Sequence, residues 1–203
     1  MISIAVSLWS VPPVSRAAEA ARLVTGGVTR FHWDSADGSM SRAGGFTAQQ
    51  ARTLAPAGTR SDAHLILHDP RPVIDAWASW CESIAVHASR PHWRESLALV
   101  AAAGALPVLA VTTHAELLSA PTEWGVLVMS IVPGEAGSAF DERSLALVEH
   151  AAARGHRSIG VDGSITPARA RRLTSAGATI LISGSSLTGA AEPRAWLREA
   201  GAP

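Results

Sequence analysis

The sequence predicts an α/β protein folded as a TIM (β/α)8 barrel, a single domain over residues 1–203. Three observations predict it. Short β-branched or apolar runs alternate with Ala- and Arg-rich amphipathic stretches from end to end. Eight of each can be placed at about 25 residues per unit, near the minimum for this fold. No long polar linker or low-complexity segment divides the chain. A doubly wound open sheet would show the same alternation with fewer strands.

In chain order, the first strand covers 2–7. Its apolar run continues to Val11 but has no basic leader and is broken by Pro12–Pro13, so it reads as a buried strand and not a signal segment. A helix over 13–25 stops at Gly26–Gly27, and a strand covers 29–34. A helix near 47–55 leads to a strand at 60–65. Pro70–Arg71–Pro72 opens a helix over 71–80, followed by a strand at 83–87. The helix over 92–103 ends at Gly104 before the strand at 106–111, and a helix over 114–119 precedes the strand at 125–130. Asp141 opens the helix over 141–154, which stops at Gly155 before the strand at 158–162. Thr166–Pro167 opens the helix over 167–175, closed by Gly177, and the last strand (179–183) and helix (192–200) follow. Proline at a helix start sacrifices no hydrogen bond, and glycine past the end supplies a left-handed cap.

Composition narrows the chemistry. The chain is 47% hydrophobic, and its seventeen acids balance seventeen bases, all of them arginine. Without lysine there is no Schiff-base aldolase, no pyridoxal-phosphate lysine and no Walker A loop. Without tyrosine, proton transfer falls to His, Asp, Glu or Cys81. The neutral balance gives no pull towards nucleic acid or anionic membrane, and no apolar run reaches the ~18 residues needed to span a bilayer. Arg169, Arg171 and Arg172 read as a solvated helix face. Cys81 is alone and follows an apolar helical stretch, so it reads as a buried inert thiol in a reducing, cytoplasmic protein.

In a TIM barrel the site lies at the C-terminal ends of the strands. The second strand ends His32-Trp33-Asp34, the third Asp62-Ala63-His64, the seventh Val161-Asp162-Gly163. Residues two apart share a face, so His32 and Asp34 project together. If all point inward, two imidazoles and two carboxylates meet at the mouth, a donor set suited to Zn, Mn, Fe or Co as the divalent ion. A strand-end histidine can equally be a hydrogen-bonded core residue. Glycine turns follow the sixth strand (Pro133-Gly134-Glu135-Ala136-Gly137), the seventh (Asp162-Gly163-Ser164) and the eighth (Gly184-Ser185-Ser186). They are either a phosphate cradle or ordinary tight turns. His68, His92, His114, His150 and His156 lie away from the strand ends, and Trp9 and Trp33 adjoin the candidate site.

These segments, in order, resemble the ribulose-phosphate 3-epimerase family from near the start to about residue 189. Ser7-Leu8-Trp9-Ser10 is similar to the family's Ser-Ile-Leu-Ser, and His32 to Gly38 to His-Val-Asp-Val-Met-Asp-Gly. Asp62-Ala63-His64-Leu65 with Asp69-Pro70, Val86-His87, Val128 to Gly134, Val161 to Ile165 and Gly184-Ser185 follow the later motifs. The resemblance implies His32, Asp34, His64 and Asp162 as metal ligands, with Asp34 and Asp162 also the acid–base pair acting through a metal-stabilised enediolate. It implies a phosphorylated ketose substrate, by default D-ribulose 5-phosphate and D-xylulose 5-phosphate epimerised at C3. Ser7, Met129, Gly134, Gly137, Gly163, Ser164, Gly184 and Ser185 would contact the substrate, His87 would support a ligand, and the enzyme would be a homo-oligomer. The lining departs from the pattern at Ala36, Ile66, Thr112 and Val132, at Val11-Pro12, at Ser39 and at Ser164. Two alternatives stay open: a related metal-dependent sugar-phosphate isomerase or lyase with another substrate, and a non-catalytic barrel binding a phospho-ligand or partner protein.

Overall fold

The structure is a computed structural model describing residues 2–131 and 139–202. Eight strands form the barrel: β1 (Ser3–Ser7), β2 (Arg30–Ala36), β3 (Arg60–Ile66), β4 (Ser83–His87), β5 (Leu106–Val111), β6 (Gly125–Met129), β7 (Ile159–Asp162) and β8 (Ile180–Ser183). Each pairs in parallel with its neighbour, and β1 pairs with both β2 and β8, which closes the barrel. The predicted fold class and all eight strands are present. A closed barrel has no free edges, so the strands can be short and nearly all apolar.

The helices are α1 (Arg16–Thr25), α2 (Ala48–Leu54), α3 (Ile74–Ala78), α4 (Trp93–Ala102), α5 (His114–Ser119), α6 (Arg143–Ala153), α7 (Pro167–Ala176), α8 (Ser185–Thr188) and α9 (Pro193–Ala200). Their apolar stripes fix their seats. α6 buries Ser144, Leu147, Val148 and Ala151, and α9 buries Pro193, Trp196, Leu197 and Ala200, both at i, i+3, i+4 and i+7. These stripes meet the outward side chains of the strands, among them Phe31, Trp33, Leu65, Ile84, Leu109 and Val128. A smaller core of Ala5, Ala85, Val108, Ala110, Leu127, Met129 and Ile182 fills the barrel interior.

Helix ends follow the glycine signals. At Gly27, Gly104, Gly155 and Gly177 the backbone is left-handed, and the next amide donates to the carbonyl five residues back, as Ala178 does to Leu173 at 3.0 Å. At Gly177 a β-carbon would also stand 2.6 Å from that of Ala152, so backbone and packing both demand glycine.

Three local features differ from expectation. The helix over 71–80 is a 3₁₀ turn at Arg71–Val73 followed by only five α-helical residues, Ile74–Ala78. β2 runs two residues past Asp34, because Gly44–Gly45 returns antiparallel against Ser35 and Ala36 and Phe46 donates to the Asp34 carbonyl at 2.9 Å. α8 follows β8 directly.

Cys81 is 5% exposed, and its thiol is raised above the usual range by burial and then by the charges of Asp62 and Glu82. The reactive thiolate is therefore disfavoured. Ellman's reagent is expected to find no free thiol in the native protein at pH 8 and one after denaturation. Stoichiometric native reaction would contradict this burial.

Candidate active site

Strand alternation places the site. On β2 the side chains of Arg30, His32 and Asp34 face the barrel interior, and Phe31 and Trp33 face the helices. Trp33 therefore does not adjoin the site as expected. Its ring packs edge-on to Phe46 at 5.2 Å, and its Nε1 donates to Ser61 Oγ at 3.1 Å. β3 brings in His64 by the same alternation, and β7 presents Asp162 at its last residue.

His32, Asp34, His64 and Asp162 each offer one ligand atom, all within 4.8 Å of one another. His64 Nδ1 lies 3.1 Å from Asp34 Oδ1 and 3.7 Å from Asp162 Oδ2, and His32 Nε2 lies 3.6 Å from Asp34 Oδ1. Three of the four are buried, and the Asp162 side chain is 17% exposed towards the cleft. Both ring nitrogens of His32 are buried without a hydrogen-bond partner. Buried polar atoms normally have partners, so these nitrogens mark a site built for something else to bind. Two carboxylates with two imidazoles and an unpartnered nitrogen fit a divalent cation.

The two carboxyls differ in proton affinity. Burial alone would raise Asp34, but His32, His64 and the Ser7 hydroxyl, which donates to Asp34 Oδ2 at 2.7 Å, together hold it below its ordinary value. Burial, and then the charge of Asp34 beside it, push Asp162 up to about 7. Neighbouring carboxyls with separated affinities are the usual arrangement for an acid and a base.

His87, at the end of β4, sits behind His64 with the two Nε2 atoms 2.8 Å apart and the rings stacked at 4.9 Å. Burial, then His64 and Arg90, hold His87 well below the usual histidine range. A neutral His87 can accept a hydrogen bond from His64 Nε2–H, the tautomer that would turn the His64 Nδ1 lone pair towards a bound cation.

Beside the cluster lies a cleft lined by Ser7, Trp9, Asp34, Asp162, and the turns Gly163–Ser164 and Gly184–Ser186, with Ile131 and Ile165 as apolar walls. Gly163 has φ +117° and Ser164 φ +51°, and a β-carbon on Gly163 would fall 2.3 Å from Ile131 Cγ1. Only glycine permits that approach. Ser130, to which the sequence assigned nothing, braces the same turn, its hydroxyl 2.9 Å from the Asp162 carbonyl oxygen and 2.6 Å from that of Gly163.

Arg169 is not on a solvated face with Arg171 and Arg172. Its guanidinium donates to the Ser164 carbonyl at 2.7 Å and lies over the Phe140 ring at 4.8 Å. Arg172 does pair with Glu142 on the surface. Met129 is in the apolar barrel interior and is not among the residues lining the cleft. Gly134 and Gly137 lie outside the described residues. The histidines set aside by sequence stay outside the cluster, with His114 and His150 in edge contact on the surface. Among the described residues, no helix is long and apolar enough to cross a membrane.

Comparison with known proteins agrees with this geometry. A solved structure of 3-hexulose-6-phosphate synthase from Salmonella typhimurium superposes with a TM-score of 0.73 at 14% identity, covering 98% of this chain and 96% of that one. Phosphoribosyl anthranilate isomerase from Thermotoga maritima superposes at 0.71 with 14% identity and 99% of both chains. At such identities these share the fold alone. The cytoplasmic isoform of ribulose-phosphate 3-epimerase from Oryza sativa subsp. japonica is 32% identical over 94% of this chain and 89% of its own. The profile of the ribulose-phosphate 3 epimerase family matches residues 3–188. Nearly the whole chain is thereby accounted for, including all four residues of the buried cluster, and the protein belongs to the ribulose-phosphate 3-epimerase family, isomerases acting on carbohydrates.

Proposed function

We propose that the protein is a metal-dependent epimerase inverting C3 of a ketose phosphate, with D-ribulose 5-phosphate and D-xylulose 5-phosphate as the default pair. The observation that carries this reading is the juxtaposition of Asp34 and Asp162 with two buried imidazoles beside a cleft. Inversion beside a ketone needs a proton removed from one face and another delivered to the opposite face. The carboxyl oxygens of Asp34 and Asp162 do this, exchanging roles with the direction of reaction. Asp34, held charged by its histidines and Ser7, starts as base. Asp162, which in the metal-free protein is pushed up to about 7 by burial and by Asp34, is assigned the opposite role of acid.

His32, Asp34, His64 and Asp162 would hold the divalent ion, of the zinc, manganese, iron or cobalt class. When bound, it supplies electrophilic stabilisation of the negative charge developing on the substrate oxygens. His87 orients His64 for this. His87→Ala is expected to weaken metal binding by about 10- to 100-fold, measured by competition with a chromophoric chelator. Unchanged affinity would remove His87 from the account.

Gly163, Ser164, Gly184 and Ser185 are assigned to the phosphate end of the ketose, which fixes the reacting carbon between the two aspartates. Gly134 and Gly137 are assigned to the substrate by resemblance, and Met129 to the apolar wall beneath it. Arg169 secures the Ser164 turn, so Arg169→Ala is expected to raise KM for the phosphorylated substrate by about 10-fold, ~1.4 kcal/mol, with kcat changed less. Equal losses in kcat and kcat/KM would instead place its effect on the chemical step.

We assign the enzyme to the cytoplasm, as its buried lone thiol suits, and to a homo-oligomer with no nucleic-acid or membrane partner. A related substrate in a specialised pathway is the second reading. Ala36 and Ile66, which stand where the family carries methionines, are buried at the ends of β2 and β3, and Trp9 walls the cleft. The test is conversion of D-ribulose 5-phosphate by metal-stripped and metal-restored protein. Xylulose 5-phosphate formed only after restoration supports the default pair, and conversion of another ketose phosphate alone supports the second reading.

A further inference from the structure

Below the metal cluster a second polar group occupies the barrel floor. Arg30, Asp62 and Ser83 come from adjacent strands and are 3%, 4% and 9% exposed. The Arg30 guanidinium donates to Asp62 Oδ1 and, at 2.9 Å, to Glu82 Oε2. Ser83 Oγ donates to the same Asp62 Oδ1 at 2.9 Å. Oδ1 therefore has two donors, whereas Oδ2 is buried with no partner.

His32 stands opposite Asp62 in the β2–β3 register. Its Nε2 is the nitrogen near Asp34, and Nδ1 is buried without a partner. His32 and Asp62, with Ser83 and Ser158, line a cavity of about 20 Å³. Such a space holds one water, provided it has two or more polar partners. Two residues that each carry an orphaned buried atom, an imidazole nitrogen of His32 and a carboxylate oxygen of Asp62, thus line one water-sized space.

We propose that Asp62 is a positioning residue for His32. One buried water links the His32 Nδ1–H to Asp62 Oδ2. That bridge selects the tautomer with its lone pair on Nε2, facing the cation site. Arg30 and Ser83 take up Oδ1 and lock the carboxylate, so that Oδ2 is the acceptor left for the bridge. A metal-ligating histidine generally requires such a partner on its other nitrogen, commonly a carboxylate or water. Asp62 itself meets neither metal nor substrate. The inference rests on the proposed metal role of His32.

The test is titration of metal-free full-length protein with Co²⁺, reading affinity and the visible d–d bands. Asp62→Asn and the double variant Arg30→Met/Asp62→Leu are compared with wild type. The double variant removes both buried charges together and leaves neither unpaired. Both are expected to bind Co²⁺ about 10- to 100-fold more weakly with shifted bands. Wild-type affinity and spectrum in both would overturn the role of Asp62. Wild-type protein that binds no Co²⁺, or a His32→Ala variant that binds it unchanged, would instead overturn the metal reading on which the inference stands. Should neither variant fold, ¹⁵N-histidine spectra of zinc-loaded wild type decide. A protected Nδ1 proton on His32 is expected, and a proton on Nε2 would sink the proposal.

Discussion

Asp34→Asn is expected to lower turnover by at least about 10³-fold and to stop exchange of the substrate C3 proton with solvent. A positioned proton-transfer group contributes about 10²- to 10⁴-fold, and Asp34 also offers an oxygen within 4.8 Å of a ligand atom on each of the other three cluster residues. Asparagine keeps the size and an oxygen that can accept from Ser7, so the fold should survive while the base is lost. Metal content must be measured alongside. A variant that retains metal but exchanges no proton isolates the proton-transfer role. Exchange at the wild-type rate would remove Asp34 from catalysis.

Asp162→Asn carries the second large effect, a comparable loss of epimerisation with a change of opposite sign in the metal-free fold. In the metal-free protein Asp162 is raised to about 7, above its ordinary 3.8. A folded-state value above the unfolded one means that its contribution is fully present below about pH 4 and is lost as pH rises through 7. Asparagine cannot ionise, so it avoids placing a second negative charge beside Asp34. The metal-free variant is therefore expected to melt at a higher temperature than metal-free wild type at pH 8, with the gap closing at pH 4. Equal melting curves at pH 8 would mean that the two carboxylates are not in repulsive contact. A stabilising substitution that abolishes activity is what strain stored in a catalytic pair produces.

The barrel was legible because its signals are local. Period-two and period-3.6 apolar patterns, proline starts and glycine stops each act over a few residues, and the Gly27, Gly104, Gly155 and Gly177 ends follow them closely. The pairing of His32 with Asp34 was legible for the same reason, since strand alternation alone aims them together, whereas the set completed by His64 and Asp162 followed from the family resemblance. What escaped the sequence depends on contacts across the fold. The return of Gly44–Gly45 onto β2 carries no apolar run to announce it. Ser130 looks like one more serine until β6 and β7 are aligned, and Arg169 looks like part of a basic surface until α7 is seated over the turn after β7. Trp33 was misread by proximity in sequence, although the alternation that aims its neighbours inward turns it outward. Arg30 and Asp62 lie thirty-two residues apart, and only the β2–β3 pairing joins them.

In the proposed reaction two carboxyls handle the proton at C3 of a ketose phosphate. This role is tested most directly by proton NMR of the metal-loaded enzyme with D-ribulose 5-phosphate in D₂O. The C3 proton signal is expected to disappear as deuterium enters, with D-xylulose 5-phosphate accumulating. Deuterium at C1 alone, or no exchange by protein with confirmed metal content, would contradict it.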